Sequence, residues 1–158
     1  MNVLLIGNKI YKHFQFNEIL DNFKNNYRFN FALSNKNNGT ICDKIVLNNH
    51  VYSTARYGIQ AMIQYYKKHL PGVDSNHIIE FYNELKKYKS IESQSNEWKN
   101  LNLFLEKIGC PLKFKRLPRV GYIKMIELLM MNIKVFIYGF SVCILPKDDN
   151  HLYNDEYV

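Results

Sequence analysis

Two short apolar runs constrain this chain more than any other feature: Val3-Leu4-Leu5-Ile6 and Val135-Phe136-Ile137-Tyr138, each followed by a glycine. Side chains that are apolar at consecutive positions suit a strand covered on both faces, the condition of a parallel sheet held between helices. Gly7 after the first run lets the backbone turn tightly without a Cβ clash. Five strands are expected: Asn2 to Ile6, Arg28 to Leu33, Lys44 to Leu47, Leu112 to Leu117 and Lys134 to Tyr138. The opening run is only about five residues long and follows no basic segment, so it reads as neither a signal peptide nor a membrane span.

Helical patterns separate these runs. Phe16, Ile19, Leu20 and Phe23 recur at three-four spacing, with a cap at or just before Asn17. Ser53 precedes an expected helix from Thr54 to Leu70, stopped by Pro71-Gly72. Residues 74–110 read as a helical insertion of two helices, His77 to Lys89 and Asn96 to Ile108, joined by the polar SIESQS. Gly121 to Met131 is a nearly all-apolar helix that feeds straight into the last strand. The fold class expected is α/β, a single domain over 1–158. Its core is a doubly wound, Rossmann-like, mostly parallel sheet with helices on both faces. Ligands of such sheets sit at the strands' C-terminal edges.

Composition narrows the function. An apolar fraction of 47% and an aromatic fraction of 15% belong to a chain that packs a core, not to a disordered one. Cys42, Cys110 and Cys143 form no CxxC pair and leave an odd count, which argues against a disulfide framework or a metal cage and for the reducing cytoplasm. The histidines, His13, His50, His69, His77 and His151, lack metal-ligand spacing, so no metal is expected. The net charge of +7 admits a basic nucleic-acid-binding module. Its lysines are scattered, however, and an anionic small substrate suits the same charge. Peripheral membrane contact and oligomeric state are left open.

The expected strand edges carry Gly7-Asn8, Ser34-Asn35, Asn48-Asn49 and Gly139-Phe140, so three of the four bear asparagine. Asparagine there has an ordinary use, because it tolerates left-handed turns and bonds its own backbone. A carboxamide also offers a donor and an acceptor to a nucleotide's phosphate, ribose or base.

The segments LLIGNKI, FALSNKNNG, DKIVLNNHVYS, RLPRVGYIKMIELLMMNIKVFIYGFS and HLYNDE follow one another in an order that resembles the small bacterial sialyltransferases of surface polysaccharide synthesis. That family has GN(G)PS after its first strand, strands ending in CN and YNP, and a TSG-type turn before a helix, a strand and SGIDF. The resemblance implies transfer of sialic acid or a related sugar from a CMP-activated donor to a glycan acceptor, with no cofactor. It implies donor-binding roles for Gly7, Asn8, Asn35, Arg119 and Gly121, and for Asn48 or Asn49. Gly121 would let helix N-terminal amides approach the phosphate. His151 resembles the histidine of the family's HY segment and is the candidate base. The chain departs from the family at Lys9, Arg119-Val120 and Ser141 and is shorter at its C-terminus. A non-catalytic relative that at most binds a nucleotide is therefore the alternative.

Overall fold

The computed structural model describes residues 1–8, 17–30, 32–35, 37–95, 98–111 and 119–140. The expected strand Leu112 to Leu117 lies outside these residues. Among the described residues five strands, β1 (Asn2–Ile6), β2 (Asn26–Phe29), β3 (Lys44–Leu47), β4 (Ser90–Ser93) and β5 (Lys134–Tyr138), form one sheet in the order β4-β3-β2-β1-β5. Every pairing is parallel. Six α-helices accompany them among the described residues: α1 (Asn17–Asp21), α2 (Asn49–Tyr57), α3 (Ile59–His69), α4 (Ser75–Glu84), α5 (Trp98–Lys107) and α6 (Val120–Met130). This is the doubly wound α/β sheet that the buried apolar runs predict.

Alternate residues of the strands supply two cores. Val3, Leu5, Phe29 and Val46 pack with Val120 and Leu128 of α6 on one face. On the other, Leu4 and Ile6 meet Leu20 of α1, while Ile45 and Leu47 pack with Val51, Met62, Ile78 and Phe81 of α2, α3 and α4. Each fully buried side chain of this size contributes about 1.5–3 kcal/mol. Consecutive apolar residues in β1 and β3 are thus needed because neither face meets water. α5 forms a further layer, with Leu101 packed on Ile123 and Ile126 of α6.

Three expectations are corrected. Residues 74–110 are not a purely helical insertion, because the segment read as a polar linker contains β4, paired in register with β3 from Lys44↔Ser90 to Leu47↔Ser93. An edge strand needs no continuous apolar run, and Glu92 of β4 finds its partner in Lys44. The helix expected from Thr54 to Leu70 is two helices. It starts earlier because Asn48 caps it, accepting from the Val51 amide at 2.8 Å, and it breaks at Gly58, whose φ of 102° suits only glycine. β2 ends at Phe29 and not at Leu33, because Asn30 turns into the left-handed region with φ 49°.

Candidate functional site

Strand order reverses at β1, which has β2 on one side and β5 on the other, so the crevice beyond the C-terminal ends of β1 and β5 is the expected ligand position. Its floor is tightly built. The Gly7 amide donates to the Tyr138 carbonyl at 2.7 Å, and Gly7 stands directly against Gly139. The Phe140 ring crosses over both Gly7 and Gly121 and meets the Phe29 ring edge to face at 5.9 Å between centroids.

Moving along the same edge, asparagines join each strand end to the next. Asn8 Nδ2 donates to the Phe29 carbonyl at 3.1 Å, linking β1 to β2. Asn30 Oδ1 accepts from the Asn48 amide at 3.0 Å, linking β2 to β3. Asn49 Oδ1 accepts from the Ser93 hydroxyl, linking β3 to β4. The carboxamides therefore organise the rim on which a ligand would rest. The N-terminus of α2 opens onto this rim at Asn48, and α6 opens onto it beside Phe140. Their aligned peptide dipoles make the edge favourable to an anion.

Of the residues singled out from the sequence, Gly7, Asn8, Asn48, Asn49, Arg119 and Gly121 are all brought to this edge. Arg119 is the exposed N-cap residue of α6, and its side chain makes no capping bond. Gly121 is buried in the first turn of α6, where an added Cβ would lie 2.6 Å from the Phe140 ring. Ring packing is thus a sufficient reason for that glycine. Asn35 does not terminate a strand. Its Oδ1 accepts from the amides of Asn37 at 2.8 Å and Asn38 at 3.2 Å, forming a local turn. His151 lies outside the described residues, as does Ser141.

Sequence reading missed Asn30, the residue that does stand at the end of β2. The available signal was an asparagine interrupting an otherwise apolar run, since asparagine enters the left-handed region more readily than its neighbours Phe29 or Ala32.

The connection between β2 and β3 walls one side of the rim, and buried charges hold it. Arg28 on β2 is fully buried, with Nη2 donating to the carbonyls of Asn38 and Gly39 at 2.9 Å and Nε to that of Ile41 at 3.3 Å. Glu84 accepts from the amide and hydroxyl of Ser34 and pairs with Lys87 at 2.7 Å. Asp21 accepts from Thr40 and from the Ile41 amide. The Tyr138 hydroxyl reaches across to the Asn37 carbonyl at 3.1 Å. Burial pushes the Glu84 carboxyl up, but bonds from Lys87 and Ser34 outweigh it and hold it below its ordinary value of 4.5. Burial likewise opposes ionisation of Asp21, and the Thr40 and Ile41 bonds with the Arg28 charge bring it below 3.8.

A carboxyl lowered in the folded state stabilises above its unfolded pKa, and the contribution is lost as pH falls through the folded value. Stability should therefore decline from about pH 6 to about pH 3, and Glu84→Gln should flatten part of that decline. Urea unfolding midpoints across the range measure it; an equal acid slope in the variant would contradict the role given to Glu84.

Among the described residues no group of three His, Cys, Asp or Glu side chains could hold a metal ion, and no helix is long and apolar enough to cross a membrane. Compared with models of known protein families the chain matches none, and no curated protein matches it in sequence.

Proposed function

We propose that this chain handles a cytidine-nucleotide sugar in the manner of the sialyltransferases its sequence resembles, with the nucleotide laid along the C-terminal edge of the sheet. The observation that carries this reading is the placement of Asn8, Asn30 and Asn48 at the ends of three neighbouring parallel strands, beside the point where strand order reverses. Amides there can bond base and ribose, and the N-termini of α2 and α6, with Arg119, favour the phosphate. In the transfer, an acceptor hydroxyl attacks the anomeric carbon and loses its proton to a base, for which His151 is the candidate. The bond from that carbon to the phosphate oxygen breaks, and cytidine monophosphate leaves with the electron pair. Holding both reactants in line and stabilising the leaving phosphate would be the protein's contribution.

Calorimetric titration with cytidine monophosphate, against uridine, guanosine and adenosine monophosphates, tests the reading. Selective cytidine binding is expected. Asn30→Ala and Asn8→Ala should each weaken it by about 1–2 kcal/mol, the scale of a lost buried hydrogen bond. Unfolding curves separate this from loss of the strand-end links. Folded variants with unchanged affinity would remove the assigned roles.

A second reading, a non-catalytic relative that at most binds a nucleotide, is favoured by Phe140, whose ring fills the space beside Gly121 through which a donor's phosphate would approach α6. Hydrolysis or transfer of a CMP-activated sugar above background would exclude it.

A further inference from the structure

A cavity of about 470 Å³ lies between α2 and the end of α4 and against the edge strand β4. Its apolar lining comes from Leu47, Ala55, Leu85 and Ile91, and its two aromatic walls are Tyr52 on α2 and Tyr82 on α4. Arg56, in the last turn of α2, and Lys86, in the 3-10 turn that follows α4, complete it. The volume lies within the range of small-molecule sites, about 300–1,000 Å³.

The charge of the lining is one-sided, with two cations and no carboxylate. Other lysines of this region have acidic partners: Lys44 has Glu92, Lys87 has Glu84 and Lys89 has Asp43. Arg56 and Lys86 are exposed and make no ion pair among the described residues. Among the described residues unpaired lysines also stand elsewhere on the surface, Lys67 and Lys68 of α3 among them, but Arg56 and Lys86 are the pair that lines an apolar cavity bearing two tyrosines. Leu47 and Leu85 at its base are buried, so an apolar group placed there would leave water, while a negative group at the entrance would meet the cations.

We propose that this cavity binds a small organic anion with a flat apolar body and one acidic group. The body lies between Tyr52 and Tyr82 over Leu47 and Leu85. The acidic group, carboxylate, sulfonate or phosphate, is held by Arg56 and Lys86. Arg56 and Lys86 contribute attraction that salt screens, whereas the apolar lining contributes affinity that salt leaves intact.

The probe is 1-anilinonaphthalene-8-sulfonate, with uncharged N-phenyl-1-naphthylamine as its comparison, titrated by fluorescence into the folded protein. The sulfonate should bind at one site and more tightly than the uncharged compound. Arg56→Gln combined with Lys86→Gln should weaken it about tenfold, the summed effect of two exposed charges, and should remove its preference over the uncharged compound. Ala55→Trp should fill the cavity and abolish binding of both. Circular dichroism and the unfolding midpoint establish that each variant keeps its fold, and the charge variants, altered only at exposed positions, read the site even where Ala55→Trp fails to fold. The proposal is overturned by absent binding, by affinity indifferent to both cations, or by uncharged and charged compounds binding alike.

Discussion

Arg28→Met should destabilise the fold by about 3–5 kcal/mol, the cost of removing one partner from a buried charged network. Arg28 is fully buried and stands in register between Ile6 and Ile45, on the face that α1, α2, α3 and α4 cover. Methionine matches much of the side chain's length but carries no donor. The Asn38, Gly39 and Ile41 carbonyls would then lose the bonds that hold the β2–β3 connection onto the sheet. Asp21, lowered in part by the Arg28 charge, would lose a counterion as well. Nη1 has no hydrogen-bond partner among the described residues, so its removal offsets a little of this cost. Urea unfolding followed by circular dichroism reads the change, and hydrogen exchange should show the amides of Asn35 and Thr40 losing protection first. A loss below about 1 kcal/mol would mean that the buried charge is close to energetically neutral. Since that connection also walls the rim, the nucleotide binding proposed above should weaken alongside stability.

Gly7→Ala should be comparably damaging, at about 3 kcal/mol, for a steric reason. A Cβ at this position would lie 2.7 Å from the carbonyl carbon of Gly139 and closer still to its oxygen. Both are backbone atoms of the segment leaving β5, so no side chain can rotate out of the way. Relief requires prying apart the ends of β1 and β5, where Ile6 pairs with Tyr138. Gly72→Ala is the matched control, because a Cβ there meets nothing within 4 Å, and it should change stability by less than about 0.5 kcal/mol. Equal thermal midpoints for the two variants would show that the strand ends yield more readily than this geometry implies.

Both variants concern contacts across the sheet, and such contacts divide what could be read in advance from what could not. β1 and β3 were legible because burial on two faces demands an uninterrupted apolar run, which is a local property of the sequence; β5 was found by the same pattern, although it forms an edge of the sheet with none of its residues buried and Ile137 51% exposed, so the double covering expected of it is not met. α6 was legible for the same reason, and alternation of these elements was enough to imply a doubly wound parallel sheet. Gly7, Asn8 and Asn48 could be assigned to strand ends because the strands before them were unmistakable.

β4 was not legible. An edge strand carrying Ser90, Glu92 and Ser93 has no hydrophobic signature, and only pairing with β3 makes it a strand. Asn30 was passed over because its left-handed turn is fixed by the Asn48 amide, 18 residues away in sequence. The burial of Arg28 depends on three carbonyls from a connection whose path no local pattern reports. Gly121 shows the same limit from the other side, since the ring that fills its missing Cβ belongs to Phe140, beyond the following strand. The sequence by itself determined which segments must leave water and hence the layered parallel sheet. Tertiary structure alone decided which polar groups meet at its C-terminal edge, because hydrogen-bond partners are chosen by proximity in space, which short-range periodicity does not encode.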